Sequence, residues 1–166
     1  MNTNRNDHRG ALYFFCGKMG AGKSTLAKQV STQGNMVLIV EDEWLGALYP
    51  SLIQSVADYV TYSARLKQPM TVLTQQLLLR GQDVALDFPA NTIQQRASLK
   101  QIAAAVDCLH HMYYLDVADE VCLERIKHRR QKHPSRADTD TAEMFHAMRR
   151  HFRAPQPDEG LNLLSP

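Results

Sequence analysis

The chain has 166 residues, which suffices for one domain with a buried core. Hydrophobic residues make up 44% and charged residues 22%, values that exclude a disordered or fibrous protein, and the net charge of +2 does not by itself indicate a polyanionic partner. No apolar run reaches the length of a membrane span, and residues 1–10 lack the apolar core of a signal peptide, so we expect a cytoplasmic protein without a membrane partner.

The first predicted elements are two apolar strands separated by a glycine-rich turn and a helix. Residues 11–16 form a continuous apolar run rich in aromatic side chains, which is typical of a strand buried on both faces. The glycine-rich turn 17–22 follows, and then a predicted helix over 23–33 that ends at Gly34. A second buried strand is predicted over 36–40.

Two helices and a third strand are predicted in the middle of the chain. Ser51 can cap a helix whose apolar residues recur at three-to-four spacing. Another helix is predicted to follow Pro69 and to end at Gly81. The third strand, 84–86, closes on Asp87.

The alternation continues to the end of the chain. A helix is predicted over 92–105 and a fourth strand over 111–115, which ends at an aspartate. The next helix, 119–130, is strongly basic at its end. Pro134 then breaks the chain before a last helix over 140–152.

Strands that alternate with helices of ten or more residues indicate an α/β fold of three layers, in which a mostly parallel sheet carries helices on both faces. We expect one domain over 11–166 after a flexible N-terminus, 1–10, with the tail 155–166 as a short final strand or a loose end. Ligands of such sheets bind at the carboxyl ends of the strands, so the polar residues that end these strands should surround one crevice. They are Gly17, Asp42, Asp87 and Asp116.

The turn after the first strand carries a phosphate-binding motif. The sequence from Gly17 to Ser24 fits G-x-x-x-x-G-K-[ST] in full, between a strand and a helix as the motif requires. Its glycines let backbone N–H groups surround a phosphate, and the helix N-terminus adds a positive dipole. Lys23 can reach the β- and γ-phosphates and act in catalysis, while the Ser24 hydroxyl can hold Mg²⁺. The predicted nucleotide-binding residues are Gly17, Lys18, Met19, Gly20, Ala21, Gly22, Lys23, Ser24 and Thr25.

The residues after the third strand argue against a nucleotide-hydrolysing switch or motor. GTPases carry an Asn-Lys-x-Asp motif, which this sequence lacks, and Phe88 and Pro89 stand where many ATPases place a glutamate that activates water. Asp87 can still help to order Mg²⁺ through water, so we predict a metal site from Ser24 and Asp87. A purely structural role for Asp87, capping the turn that follows, stays open.

Three consecutive acids, 41–43, follow the second strand at the mouth of the expected crevice. A kinase needs a carboxylate there to orient the acceptor hydroxyl and to take its proton, and Asp42 is the predicted catalytic base. The alternative for Asp42 is a structural role as an acidic N-terminal cap of the next turn. Trp44 is a candidate for the acceptor pocket, with a core or interface role as the alternative. Asn91 and Arg96 are candidates for contacts with the acceptor, with surface roles equally open.

Basic residues concentrate late in the chain. Between Arg125 and Arg153 nine basic residues stand against three acidic ones, which suggests an element that handles phosphate. Arg125 and Arg129 share a helix face, and we predict them to be catalytic, with Arg130 contacting the nucleotide, in a lid that closes over the phosphates. The alternative is that these arginines form an ordinary solvent-exposed helix face without a role in phosphate binding.

Together these motifs resemble the AAA_33-type small P-loop kinases, a bacterial group whose relatives include polynucleotide kinases, zeta toxins, gluconate kinases and chloramphenicol phosphotransferases. The resemblance extends from about Leu12 to Leu164. It implies a P-loop NTPase fold like that of nucleoside monophosphate kinases, a mobile basic lid over about 125–140, and phosphoryl transfer from ATP to a hydroxyl. The segments that carry it are 17–25, the Glu41-Asp42 strand end, 87–92 with Arg96, and 125–130.

The sequence departs from polynucleotide kinases at Leu45, where many relatives carry an arginine three residues after the catalytic aspartate. We therefore expect a monomeric or dimeric kinase that phosphorylates a hydroxyl of a small-molecule acceptor. Two alternatives stay open. One is a polynucleotide 5′-hydroxyl kinase, which would bind nucleic acid through the basic stretch, and the other is an ATP-binding regulatory or interaction module with little catalysis.

Overall fold

The computed structural model describes residues 9–166, so most of the predicted N-terminal segment 1–10 lies outside the described residues. The strands are β1 (Leu12–Gly17), β2 (Val37–Val40), β3 (Val84–Asp87), β4 (His110–Leu115) and β5 (Leu163–Leu164). The helices are α1 (Lys23–Gln33), α2 (Glu41–Leu48), α3 (Val56–Leu78), α4 (Ile93–Ala104), α5 (Asp119–Lys132) and α6 (Ala142–His151). Short 3₁₀ turns cover Pro134–Arg136 and Pro157–Glu159.

The five strands form one parallel sheet in the order β2-β3-β1-β4-β5. The central strand β1 is buried on both faces, because side chains alternate between the two sides of a strand. Phe14 packs on one side in a core that includes residues of α3 and α4, while Phe15 packs on the other against Ala27 of α1. The predicted three-layer α/β fold is therefore confirmed. No helix within residues 9–166 is long and apolar enough to cross a membrane.

The prediction of two helices around Pro69 is wrong, because α3 runs through that residue as one helix of 23 residues. Proline removes one helical hydrogen bond, which leaves the carbonyl of Arg65 without its donor. Both residues are exposed, so water can solvate that carbonyl, while the buried Leu66 and Met70 anchor the helix on either side of the break. The N-cap is Ser55 rather than Ser51, and its hydroxyl accepts a hydrogen bond from the backbone of the first turn at 3.1 Å.

Arg96 lies neither at the surface nor in an open crevice, contrary to both expectations for it. Its side chain is fully buried, and two of its nitrogens donate to the carboxylate of Glu159, each at 2.7 Å. A third nitrogen donates to the carbonyls of Ala90 and Arg153 at 3.2 and 2.7 Å. These bonds fasten the C-terminal segment, which ends as the short strand β5 beside β4.

Candidate active site

The glycine-rich loop connects the end of β1 to the start of α1, as the motif requires. Gly20 and Gly22 have φ angles of 78° and 103°, in the region that favours glycine. A Cβ atom at Gly20 would also stand 2.6 Å from the carbonyl oxygen of Cys122 in α5, so a side chain does not fit there. Helix α1 begins at Lys23 directly after this turn, which directs its N-terminal N–H groups into the loop.

Lys23 lies inside the loop that it follows. Its Nζ donates to the carbonyl oxygens of Gly17 and Lys18 at 2.6 and 3.0 Å. Burial lowers the pKa of Lys23, and the negative charge of Asp87 opposes that shift, so the two side chains lie within electrostatic reach. A pocket of about 220 Å³ opens on this side of the loop. It is lined by Gly20, Gly22, Lys23, Ser24, Thr25, Arg125 and Arg129, all of them residues predicted from the sequence.

The opposite side of the loop is held by neighbouring elements. Lys18 is 9% exposed, and its amino group forms an ion pair with Asp119 of α5, which also accepts from Arg149 of α6 at 3.3 Å. The Oδ1 atom of Asn91 accepts a hydrogen bond from the backbone N–H of Gly17 at 3.2 Å. The side chains of Lys18 and Asn91 therefore hold the loop in position. It is the backbone of Lys18, and not its side chain, that can contribute to phosphate binding.

Asp42 and Asp87, the two predicted acidic residues, lie near each other because their strands are neighbours. Val40, the last residue of β2, pairs with Asp87, the last residue of β3, and Asp42 follows in the first turn of α2. Asp42 is exposed on α2, although neighbouring residues partly bury its carboxylate. This burial raises its pKa, Asp87 raises it further, and the positive charge of Arg136 lowers it. Asp42, Asp87 and a lid arginine are thus electrostatically coupled across one crevice.

Glu41 was part of the acidic run, but its surroundings could not be read from the sequence. Its carboxylate is buried, with 7% of the residue exposed, and accepts from the Tyr59 hydroxyl at 2.6 Å and from the Ser63 hydroxyl at 3.3 Å. Burial raises the pKa of Glu41, which the two hydrogen bonds counteract and the charges of Asp42 and Asp87 reinforce. A buried carboxylate, Glu41, and an exposed one, Asp42, therefore follow each other at the end of β2.

The basic segment folds over the loop as α5, a 3₁₀ turn and α6. Arg125 donates to the carbonyl of Ala21 in the loop at 3.0 Å. Arg129 and Arg136 both pair with the carboxylate of Asp140, whose side chain is completely buried. Burial raises the pKa of Asp140, but the hydrogen bonds from the two arginines outweigh it, so the pKa lies below its ordinary value. The lid segment is held in place by this buried carboxylate.

The structure brings Lys23, Asp42, Asp87, Arg125 and Arg129 to one edge of the sheet, where we predicted them. Arg130 is exposed on α5 and does not line the pocket at the loop, so its contact with a nucleotide stays a prediction. Trp44 is 38% exposed on α2.

Sequence reasoning missed four residues of the crevice. Arg136 was counted only as one charge of the basic segment, because its ion pair with Asp140 spans a 3₁₀ turn and the loop after it and follows no helical pattern. Asn91 was read as a possible contact to the acceptor, not as a brace of the loop. Glu41 and Tyr59 meet only because α3 packs against α2, and a sequence separation of 18 residues gives no local signal for that contact.

Oxygen donors suited to Mg²⁺ are present where we predicted them. Ser24 offers a hydroxyl at the exposed start of α1, and Asp87 offers a carboxylate at the end of β3. Within residues 9–166 no cluster of three or more metal-ligating side chains occurs. A hydroxyl and a carboxylate are oxygen ligands of the kind that Mg²⁺ takes in proteins, where it also keeps several waters and shares phosphate oxygens.

Comparison with known proteins places the chain in a family and a fold. Residues 12–155 match a family model described as an AAA domain, and a search of curated proteins found no sequence match. A protein from Chloroflexus aurantiacus described as a candidate kinase is 18% identical over 96% of this chain and 85% of its own, with a TM-score of 0.70. The APS kinase CysC of Mycobacterium tuberculosis, solved with AMPPNP and APS, is 20% identical over 95% and 89%, with a TM-score of 0.62.

A gluconokinase from Sinorhizobium meliloti 1021 is 16% identical over 95% of this chain and 83% of its own, with a TM-score of 0.58. At these identities the likeness shows the fold alone, which is that of small P-loop kinases. The family resemblance stated from the motifs is thereby confirmed.

Proposed function

The chain belongs to the AAA domain family, and we propose that it is a kinase that transfers the γ-phosphoryl group of ATP to a hydroxyl of a small-molecule acceptor. The observation that carries this proposal is the convergence of three kinds of group at one edge of the sheet. A phosphate loop with its lysine, a pair of coupled carboxylates and a lid with arginines lie within electrostatic reach of one another. Phosphoryl transfer needs these three kinds of group.

Lys23 and the loop N–H groups would hold the phosphates of ATP in this proposal. The Nζ atom now donates to two loop carbonyls, and phosphate oxygens would take over those bonds. Arg125 and Arg129 line the same pocket and supply positive charge that faces the phosphates. Arginine suits this position because its planar fork pairs with two phosphate oxygens at once.

Asp42 would act as the base toward the acceptor. Its raised pKa makes the carboxylate a better proton acceptor than an ordinary aspartate. The acceptor oxygen forms a bond to the γ-phosphorus, the bond from that phosphorus to the β–γ bridging oxygen breaks, and the hydroxyl proton passes to Asp42 while ADP leaves. Arg136 lies close enough to lower the pKa of Asp42, so lid position and base strength are coupled.

Ser24 and Asp87 would hold Mg²⁺ when the nucleotide is bound. The ion would neutralise phosphate charge and orient the β- and γ-phosphates. Asp87 would also keep Lys23 protonated, since its negative charge opposes the effect of burial on the lysine pKa.

The experiment that tests the proposal is transfer of label from [γ-³²P]ATP into pooled nucleosides, sugars, amino alcohols and 5′-hydroxyl oligonucleotides. Lys23→Ala should abolish the labelled product, while Lys28→Ala, an exposed lysine on the same helix, should leave it unchanged. Tight binding of ATP without any labelled product from any pool would contradict the kinase. It would favour the ATP-binding regulatory module instead.

A polynucleotide 5′-hydroxyl kinase is the second candidate, because the lid carries several exposed basic side chains besides those in the crevice. These side chains are Lys127, Arg130 and Lys132. They would contact the phosphates of a nucleic acid, and such binding weakens steeply as the salt concentration rises. Label that enters the oligonucleotide pool, with a steep salt dependence, would favour this candidate over a small-molecule acceptor.

A further inference from the structure

A mainly apolar pocket of about 260 Å³ opens between α3 and α4, beside the acidic strand end. Leu86 and Phe88, on either side of Asp87, belong to its lining, as do Val60 of α3 and Leu99 of α4. A dry apolar cavity of about 150 Å³ is large enough to bind benzene. This pocket therefore has room for an apolar group of one or two rings, next to the proposed transfer site.

One polar edge of the pocket is the carboxylate of Glu41. Tyr59 and Ser63 already donate to its two oxygens, at 2.6 and 3.3 Å. An ionised carboxylate has about four acceptor positions and no donor, so positions remain for a donor from a ligand. A group that binds there must carry an O–H or N–H.

The charges around the pocket are unevenly distributed. Glu41 lies in its wall, and the carboxylates of Asp42 and Asp87 are close enough to raise the pKa of Glu41. Among the described lining residues, the one cation is Lys67, which is exposed at the rim and donates to the Ser98 hydroxyl at 3.2 Å. An anionic ligand group at Glu41 would lie against that carboxylate and near those of Asp42 and Asp87, which is electrostatically unfavourable, while the cations Lys67 and Arg136 lie at the rim of the pocket and beside Asp42, respectively.

We propose that the acceptor is an uncharged or cationic small molecule, with an apolar body of one or two rings in this pocket and a second hydrogen-bond donor beside the phosphorylated hydroxyl that donates to Glu41. This inference rests on the proposed kinase function and names its substrate class. It excludes acceptors that carry a phosphate or carboxylate at the position that contacts Glu41.

Three probes of matched shape and a fourth without the ring test the pocket without requiring catalysis. They are 3-phenylpropane-1,2-diol, which is neutral, phenylalaninol, which is cationic, 3-phenyllactate, which is anionic, and glycerol, which lacks the ring. Their binding is measured by ligand-observed NMR with AMPPNP and Mg²⁺ present. We expect 3-phenyllactate to bind at least tenfold more weakly than the diol, and glycerol about ten- to a hundredfold more weakly, because it buries no ring.

Two variants of this chain connect the result to the pocket. Ala64→Trp fills the pocket from the exposed side of α3 and should abolish binding of the diol, whereas Ala104→Trp, exposed at the end of α4 and outside the lining, should not change it. Glu41→Gln keeps the size of the side chain and should reduce the discrimination against 3-phenyllactate about tenfold. Equal binding of the diol and 3-phenyllactate to the wild type, or full binding to Ala64→Trp, would overturn the inference.

A transfer assay with the same four compounds separates the two proposals. Selective binding of the diol without any labelled product supports the pocket and contradicts the kinase. Label that enters 3-phenyllactate or glycerol in preference to the diol supports the kinase and overturns the substrate class.

Discussion

The buried carboxylate of Asp140 fastens the lid, and its replacement by asparagine should loosen that segment. Arg129 and Arg136 donate four hydrogen bonds to its two oxygens, between 2.6 and 3.4 Å. The Asp140 side chain is inaccessible to solvent, while the two arginine side chains are 37% and 45% exposed. Asp140→Asn keeps the shape but turns one acceptor into an NH₂ group that faces donors.

The expected cost follows from these contacts. A hydrogen bond to a charged group contributes about 1.5–3 kcal/mol, and the substitution removes two such acceptor contacts and weakens the other two. Water can solvate the half-exposed guanidinium groups again, which offsets part of the loss. We therefore expect the lid to lose about 2–3 kcal/mol of local stability.

Hydrogen exchange of backbone amides measures this loss directly. A cost of about 2–3 kcal/mol should accelerate exchange in α5 and α6 roughly 30- to 150-fold, while amides in β1 and β3 should change little. Asp138→Asn is the matched control, because Asp138 is exposed in the same segment. If the amides of α5 and α6 exchange at the same rate in both variants, Asp140 does not hold the lid in place and the reasoning fails.

Three further predictions concern stability, measured by denaturant unfolding. Gly20→Ala should lower the free energy of unfolding by about 1–3 kcal/mol, because the φ of Gly20 is positive and a Cβ atom has no space there. Gly46→Ala should raise the free energy of unfolding by about 0.5–1 kcal/mol, because Gly46 lies in helix α2 and a Cβ atom there would have nothing within 4 Å. Arg96→Met should cost about 3–5 kcal/mol, because it leaves the carboxylate of Glu159 buried without its partner; a cost below 1 kcal/mol would contradict the fastening role. The folded pKa of Asp140 lies below its ordinary value of 3.8, so its contribution is fully present above about pH 4–5 and is lost as the pH falls through the folded pKa. The stability difference between wild type and Asp140→Asn should therefore shrink below pH 4, and a difference that grows there would contradict the assignment.

The fold could be predicted because its signals are local. The run 12–17 is apolar on both faces, and the alternation of short strands with longer helices specifies a parallel sheet. The phosphate loop was predictable for the same reason, since each of its fixed positions has a backbone or charge requirement within eight consecutive residues. The error at Pro69 arose because the rule that proline ends helices describes an isolated helix, whereas α3 is held by its buried face on both sides of that residue.

The parts of the site that sequence could not give depend on packing between distant segments. Arg96 carries the same charge as the lid arginines, and only the contact with Glu159, 63 residues later, makes it a buried structural residue. The bond between Tyr59 and Glu41 likewise depends on how α3 lies against α2. Charge and spacing alone do not distinguish a residue that binds substrate from one that supports the fold.

The measurement that tests the central claim most directly compares ATP binding with γ-phosphoryl transfer in Asp42→Asn, using Glu43→Gln, its exposed neighbour, as the control. Our account predicts that both variants bind ATP as the wild type does, and that Asp42→Asn alone loses about 10²- to 10⁴-fold in transfer to the acceptor. Full transfer activity in Asp42→Asn would contradict the account, because the crevice would then not use this carboxylate as its base.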